Sequence, residues 1–272
     1  MLESFLVTSR ETLEASLVVG IVLAYLKRTN NLNYRKTVYY GIIFGIITSI
    51  LAAFIFTIFA GGFEGKAEQV FEAVTMLVGA FLLTTMVFWM MKQRHISSEI
   101  ESKVDIHLQS TQPLFSHLGI FMLIFVAIIR EGVETVIFLN AINYASGINF
   151  LGGTLGIIAA IVVGYLFFVG AKKINLKRFF NVSSILLMLF AAGLVAHGFH
   201  DFEEAGLVSG IVTPLFDINH ILNEKGVVGS FLKGMFGYNG SPSLLEVIAY
   251  ASYLVIILFL YRKISNSRSA SA

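Results

Sequence analysis

Cysteine is absent from this 272-residue chain, which excludes disulfides, thiolate metal centres and cysteine nucleophiles together. Charge is also scarce, at 13% of residues, where a soluble domain carries about 25%. The net charge of +2 is spread evenly and leaves no basic face for nucleic acid. No glycine-rich phosphate loop of the Walker type is present, which argues against ATP hydrolysis. No motif supports a serine nucleophile with a histidine base, so the chain is expected not to be an enzyme. Its start, Met1-Leu2-Glu3-Ser4-Phe5, lacks a basic stretch, and Arg10 and Glu11 interrupt the first apolar run. A cleavable signal is therefore not expected.

What remains is apolar. Hydrophobic residues make up 56% of the chain and the mean hydropathy is +0.80. They fall in blocks long enough to cross a bilayer core, which takes about 20 helical residues. Lipid offers the backbone no hydrogen-bond partner, so such blocks are read as helices; the short alternating segments of a membrane β-barrel are missing. The expected fold class is an all-α membrane protein with seven transmembrane helices at about 4–26, 37–60, 68–92, 116–140, 151–171, 179–199 and 244–262, boundaries being loose by about 2–4 residues. The segment 93–115 reads as an ordinary connection and 200–243 as a long glycine-rich loop.

Basic residues orient the expected bundle. Lys27, Arg28, Arg35 and Lys36 follow the first span, and Lys92, Arg94 and Lys103 the third. Lys172, Lys173, Lys177 and Arg178 follow the fifth, and Arg262, Lys263 and Arg268 the seventh. The opposite loops hold only Lys66, Lys225 and Lys233. The positive-inside rule makes the richer side cytoplasmic, with the N-terminus outside and the C-terminus inside.

The chain repeats itself. Arg10-Glu11-Thr12-Leu13-Glu14 in the first span matches Arg130-Glu131-Gly132-Val133-Glu134 in the fourth, and a Gly41/Gly45 pair in the second span matches Gly152/Gly156 in the fifth. This predicts two three-helix repeats, about 4–92 and 116–199, with the seventh helix at 244–262 outside both. Three is odd, so the second repeat runs opposite to the first. Inverted repeats are a transporter architecture with the substrate near the midplane. The Gly-x-x-x-Gly pairs suit close helix packing.

A charged residue at the centre of a span costs roughly 2.5–3.5 kcal/mol on insertion scales. Two self-neutralising Arg–Glu pairs, Arg10 with Glu14 and Arg130 with Glu134 four residues apart, would lock a bundle without any function. Each motif, however, has a second glutamate three residues from the first, on the same helix face, so each keeps one carboxylate in excess. Glu11, Glu14, Glu131 and Glu134 from two facing helices make a hard oxygen cage, suited to hard cations including iron. Inward glutamates from facing helices also hold the metal of di-iron carboxylate bundles, though those pair glutamate with a histidine that is missing here. Arg10 and Arg130 would offset part of the charge.

Two Arg-Glu-x-x-Glu motifs on the first and fourth of seven helices, with the N-terminus outside, resemble the ferric iron permease family along the whole chain. The second motif is close to that family's Arg-Glu-Gly-Leu-Glu; the first has Thr12 where glycine is usual and keeps the charged positions. The resemblance implies movement of iron, as ferric iron, across the plasma membrane into the cytoplasm. It also implies Glu11, Glu14, Glu131 and Glu134 as the translocating ligands, iron as substrate with no cofactor, and an extracytoplasmic iron-binding or iron-oxidising protein as partner. Membrane lipid is the other expected contact. Other readings stay open: transport of another cation such as lead or manganese, a membrane di-metal oxidoreductase, or a non-transporting scaffold.

Further acids fall on the outer side. Glu64, Glu68 and Glu72 lead into the third span at four-residue spacing, and His197, His200, Asp201 and Glu204 end the sixth as one helical stripe. They are read either as solvated helix ends or as an outer capture site for iron. Asp217, His220, Glu224 and Pro214 lie in the long loop, which could cap the pathway or dock a partner. Met86 and Met90 are four apart; a methionine pair can bind copper(I), but gap-filling in the core is the commoner use.

Overall fold

The computed structural model describes residues 1–92, 96–108, 113–169, 176–208, 212–224 and 226–269. Arg94, Lys172, Lys173 and Lys225, used above for orientation, lie outside the described residues. Among those described there is no strand. The helices are α1 (Leu2–Arg28), α2 (Arg35–Ala60), α3 (Lys66–Lys92), α4 (Ile96–Leu108), α5 (Pro113–Ser146), α6 (Phe150–Val169), α7 (Leu176–Glu204), α8 (Val227–Phe236) and α9 (Leu244–Ser269).

Seven of these helices overlap the stretches expected as spans. Among the described residues, five stretches are long and apolar enough to cross a membrane: Leu32–Ala60, Lys66–Met90, Phe150–Phe168, Phe179–Glu204 and Leu244–Lys263. The two helices with the charged motifs, α1 and α5, are not among them. On α2 the side chains of Ile47, Ile50, Leu51, Phe54, Ile55 and Ile58 are exposed, a continuous apolar surface that suits lipid rather than water.

The remaining two helices correct the sequence reading. The segment 93–115 is not a plain connection, since it contains α4. There Ile100, Val104 and Leu108 pack on a cluster with Val22, Leu26, Val38 and Ile120, while Arg28 pairs with Glu101 at 2.6 Å. The loop at 200–243 contains α8, which stops at Gly237, whose φ of +66° is the left-handed conformation glycine adopts without a Cβ penalty. Gly237 also packs directly on Gly193 of α7, and through α8 the loop reaches α7, α1 and α5.

Helix directions follow from short links and close contacts. α5 ends at Gly147, with φ +83°. Asn149 then caps α6 by accepting the Gly152 N–H at 2.7 Å. The link is too short to cross the bundle, so α5 and α6 run antiparallel. α6 lies along α1: Thr8 donates its hydroxyl to the Gly153 carbonyl at 2.9 Å, and Gly156 abuts the Phe5 carbonyl. α2 lies along α5 in the same manner, Gly45 abutting Ile128 and the Phe125 carbonyl. Phe5 and Phe125 each stand five residues before their motif's arginine, so the two interfaces are built from corresponding residues. Lipid supplies no hydrophobic drive for helices to associate, which leaves close packing and interhelical hydrogen bonds such as Thr8–Gly153, each worth about 1 kcal/mol.

α3 and α7 cross antiparallel, Gly79 against Leu194 and Gly198 against Ala73 and Leu77. Between α1, α3, α5 and α7 lies the largest buried cluster, including Leu6, Val7, Met76, Leu83, Phe138, Ile142, Leu187 and Leu194. α9 packs on α7 and bonds α3 through Thr84 and Tyr253 at 2.6 Å.

Candidate metal site

Both motifs lie within long uninterrupted helices, so the geometry of each is set by the helix repeat. On α1, Arg10 reaches forward to Glu14 at 3.3 Å, one turn on, and to its neighbour Glu11 at 3.4 Å. On α5, Arg130 reaches Glu134 at 3.0 Å and Glu131 at 3.6 Å. The self-neutralising pairs expected from the spacing are therefore present.

The two helices touch, and the motifs meet. Glu11, Glu14 and Glu131 each present a carboxylate oxygen, all within 4.8 Å of one another. Glu134 stands beside this trio rather than in it, with one oxygen on Arg130; Glu14 is within electrostatic reach of both Glu134 and Arg130 across the motif boundary. Glu11 and Glu131 are buried. The Arg–Glu pairs leave oxygens over: Glu11 Oε2, Glu131 Oε2 and Glu134 Oε2 are buried with no hydrogen-bond partner among the described residues. A buried acceptor without a partner costs about 1–3 kcal/mol. Two of these glutamates, Glu11 and Glu131, belong to the converging trio, a costly arrangement unless something positively charged occupies it.

The arginines sit differently. Arg10 is fully buried; its guanidinium also faces the sulfurs of Met86 and Met90 from α3. Arg130 is 44% exposed and lies over the Trp89 ring, also of α3. Sequence reasoning saw Met86 and Met90 as a pair but not what they face. Their partner is 76 or more positions away in the chain, and no local periodicity reports that.

The outer acids are brought only partly together, Glu68 and Glu204 both lying within electrostatic reach of Glu72. Glu64 and Glu68 are exposed at the start of α3. Glu72, Asp201 and Glu204 lie within electrostatic reach of one another, and Gln69 donates to Glu204 at 3.3 Å. His197 turns back to its own helix, its Nδ1 3.0 Å from the Gly193 carbonyl, so it does not join the stripe. His200 instead meets Glu204 at 3.3 Å and Glu246 at 2.9 Å. His200, Glu203 and Glu246 form a second group whose ligand atoms lie within 4.8 Å of one another.

Neither Glu203 nor Glu246 was singled out in the sequence. Glu203 lies off the stripe, and Glu246 comes from α9. One local signal does exist for the latter: Ser243-Leu244-Leu245-Glu246 is a capping box. Ser243 Oγ accepts the Glu246 N–H and the Glu246 carboxylate accepts the Ser243 N–H, both at 3.1 Å. In the long loop, Asp217 accepts the Asn219 N–H at 2.9 Å and Glu224 accepts the Gly240 N–H. Asp217 closes a local turn, while Glu224 ties the loop to the segment leading into α9.

Comparison with known proteins gives the following. The family described as "Iron permease FTR1 family" matches residues 1–266. A protein of Yersinia pestis named "Ferrous iron permease EfeU" is 34% identical over 275 residues, covering 100% of this chain and 97% of that protein. A protein of the same name from Yersinia pseudotuberculosis serotype I (strain IP32953) is 34% identical over 271 residues, 98% of this chain and 94% of that one. Another from Escherichia coli O157:H7 is 33% identical over 261 residues, 94% and 93% respectively. No solved structure matches the chain.

Proposed function

The chain belongs to the FTR1 iron permease family, and on that premise we propose that it carries iron across the plasma membrane into the cytoplasm through the glutamates of its two Arg-Glu-x-x-Glu motifs. The observation that carries this reading is the convergence of Glu11, Glu14 and Glu131, with buried carboxylate oxygens left unpaired by Arg10 and Arg130. A cation satisfies those oxygens; two arginines against four glutamates leave room for its charge. Glu134 completes the set once its Arg130 contact is exchanged for the ion.

Seven spans, with α1 and α5 crossing as the charged pair, form the proposed permease, N-terminus outside and C-terminus inside. The paired interfaces of α1 with α6 and α2 with α5 support two inverted three-helix repeats. α9, packed on the outside of α7, belongs to neither. An all-carboxylate donor set is hard, which supports ferric iron as the ion held. An extracytoplasmic iron-binding or iron-oxidising protein is the proposed donor.

A second reading, ferrous iron as cargo, is favoured by the name of the relatives. Radioactive iron uptake into proteoliposomes, offered as ferric citrate or as ascorbate-reduced iron, with and without a proton gradient, separates the two. Uptake of neither form by correctly inserted protein would overturn the permease reading.

A further inference from the structure

We propose that His200, Glu203 and Glu246 form a second cation site, of one imidazole nitrogen and two carboxylate oxygens, which takes a divalent first-row metal ion. It is separate from the motif site. Gly198 of α7 packs at the level of Ala73, and Arg10 at the level of Met86. Thirteen positions of α3 separate the two levels, roughly 20 Å at 1.5 Å per residue. The apolar cluster of Leu6, Val7, Met76, Leu83 and Leu194 fills that interval.

The group is built rather than incidental. Glu246 is 3% exposed, and its carboxylate is held by the Ser243 N–H at 3.1 Å and the Asn239 amide at 2.8 Å. Such supporting bonds orient a metal ligand and tune its affinity. Glu203 accepts the Ser243 hydroxyl with one oxygen, while its other oxygen is buried with no hydrogen-bond partner among the described residues. His200 lies 2.9 Å from Glu246, with the ligand atoms of all three residues within 4.8 Å of one another. A purely structural lock between α7 and α9 needs only the His200–Glu246 contact and the cap. It gives no role to the second, unpaired oxygen of Glu203, whereas a cation bridging all three ligands uses it.

The chemistry selects the ion. An imidazole donor beside carboxylates suits divalent iron, manganese, cobalt or zinc, while the motif site offers oxygens alone. The two sites thus differ in hardness. Glu204, 3.3 Å from His200, adds negative potential beside the second site, which draws cations to it. Metal binding here stands independently of the permease reading; that the site loads the pathway rests on that reading.

The test uses Co2+ as the probe, added to full-length protein in detergent. In a background with Glu11, Glu14, Glu131 and Glu134 all replaced by glutamine, the motif site loses its anionic ligands. A single Co2+ should still bind, with visible d–d absorption. Adding Glu203→Gln should weaken it at least tenfold, since glutamine still accepts the Ser243 hydroxyl but brings no charge. His200→Ala should do likewise. Absence of Co2+ binding in the background variant overturns the proposal, as does affinity unchanged by either further substitution. If His200→Ala unfolds the chain, Glu203→Gln alone decides. Absence of iron uptake by the unsubstituted protein, with Co2+ binding retained, would count against the permease reading and not against this site.

Discussion

The guanidinium carbon of Arg130 lies 5.2 Å from the ring centroid of Trp89. That tryptophan is the only one in the chain, so its emission reports on the second motif. A cation–π contact of this kind is worth about 0.5–2 kcal/mol, enough to hold the side chain yet weak enough to release it when an ion competes for Glu131 and Glu134. Arg130→Lys keeps the charge and loses the planar fork. Its tryptophan emission should shift relative to the parent protein, and its iron uptake should fall severalfold. An unchanged spectrum with unchanged uptake would reduce Arg130 to a counter-charge.

Arg10 and Arg130 hold equivalent places in the repeat but unequal surroundings. Arg10 is fully buried against two glutamates and two methionine sulfurs, while Arg130 is 44% exposed. Removing one partner of a buried charge network leaves the others uncompensated, at about 3–5 kcal/mol. Arg10→Ala should therefore lower the thermal unfolding midpoint in detergent far more than Arg130→Ala does. Equal losses would mean that the two motifs are equally enclosed, contrary to the geometry.

Glu131→Gln changes charge and almost nothing in size. It removes an anionic ligand from the Glu11, Glu14 and Glu131 trio while leaving a side chain able to fill the same space. Iron uptake is expected to fall to near background with normal membrane insertion, and Glu11→Gln should match it. Wild-type uptake in either variant takes that residue out of the pathway.

The long helices and the motif were legible because both are local: apolar blocks set the first and short charged spacings the second. What escaped was short or distant. The stripe of Ile96, Ile100, Val104 and Leu108 is a helical period that marks α4, but charges of both signs around it disguised the pattern. α8 is one short helix inside a glycine-rich segment, stabilised by packing on α7 rather than by propensity. The pairing of His200 with Glu246 joins helices that neighbour each other only once α7 and α9 have packed. The seats of Arg10 and Arg130 on α3 are likewise products of tertiary packing.

Orientation is open to a direct chemical test because the chain has no cysteine. Any introduced thiol is then the sole target for a membrane-impermeant maleimide. Asn30 follows α1 at positive φ and is exposed, on the side expected to be cytoplasmic. Gly62, exposed after α2, should face out. Gly62→Cys should label in intact cells and Asn30→Cys only after permeabilisation. The reverse pattern would invert the topology and place the His200 group on the cytoplasmic side.

The pairing of α2 with α5 tests whether small residues set the architecture. A Cβ added to Gly45 would lie 2.7 Å from the Ile128 Cβ, closer than side-chain carbons approach one another. Ile128 is itself 8% exposed and packed in the cluster around Val22 and Leu26, so it has little room to retreat. Gly45→Ala should therefore push the helices apart and destabilise the protein by about 1–3 kcal/mol, the usual range for overpacking. Ile128→Ala alone leaves a cavity and should cost about 2–5 kcal/mol. Ile128 Cγ2 stands equally close to the added Cβ, at 2.7 Å; in the double variant that contact is gone while the Cβ contact stays, so the new methyl gains part of the room it needs. The two losses should then sum to less than their separate values, by the coupling of roughly 0.5–3 kcal/mol seen between residues in contact. Strict additivity in thermal or denaturant unfolding would show that Gly45 and Ile128 do not share an interface, and the correspondence between the α2–α5 and α1–α6 packings would lose its support.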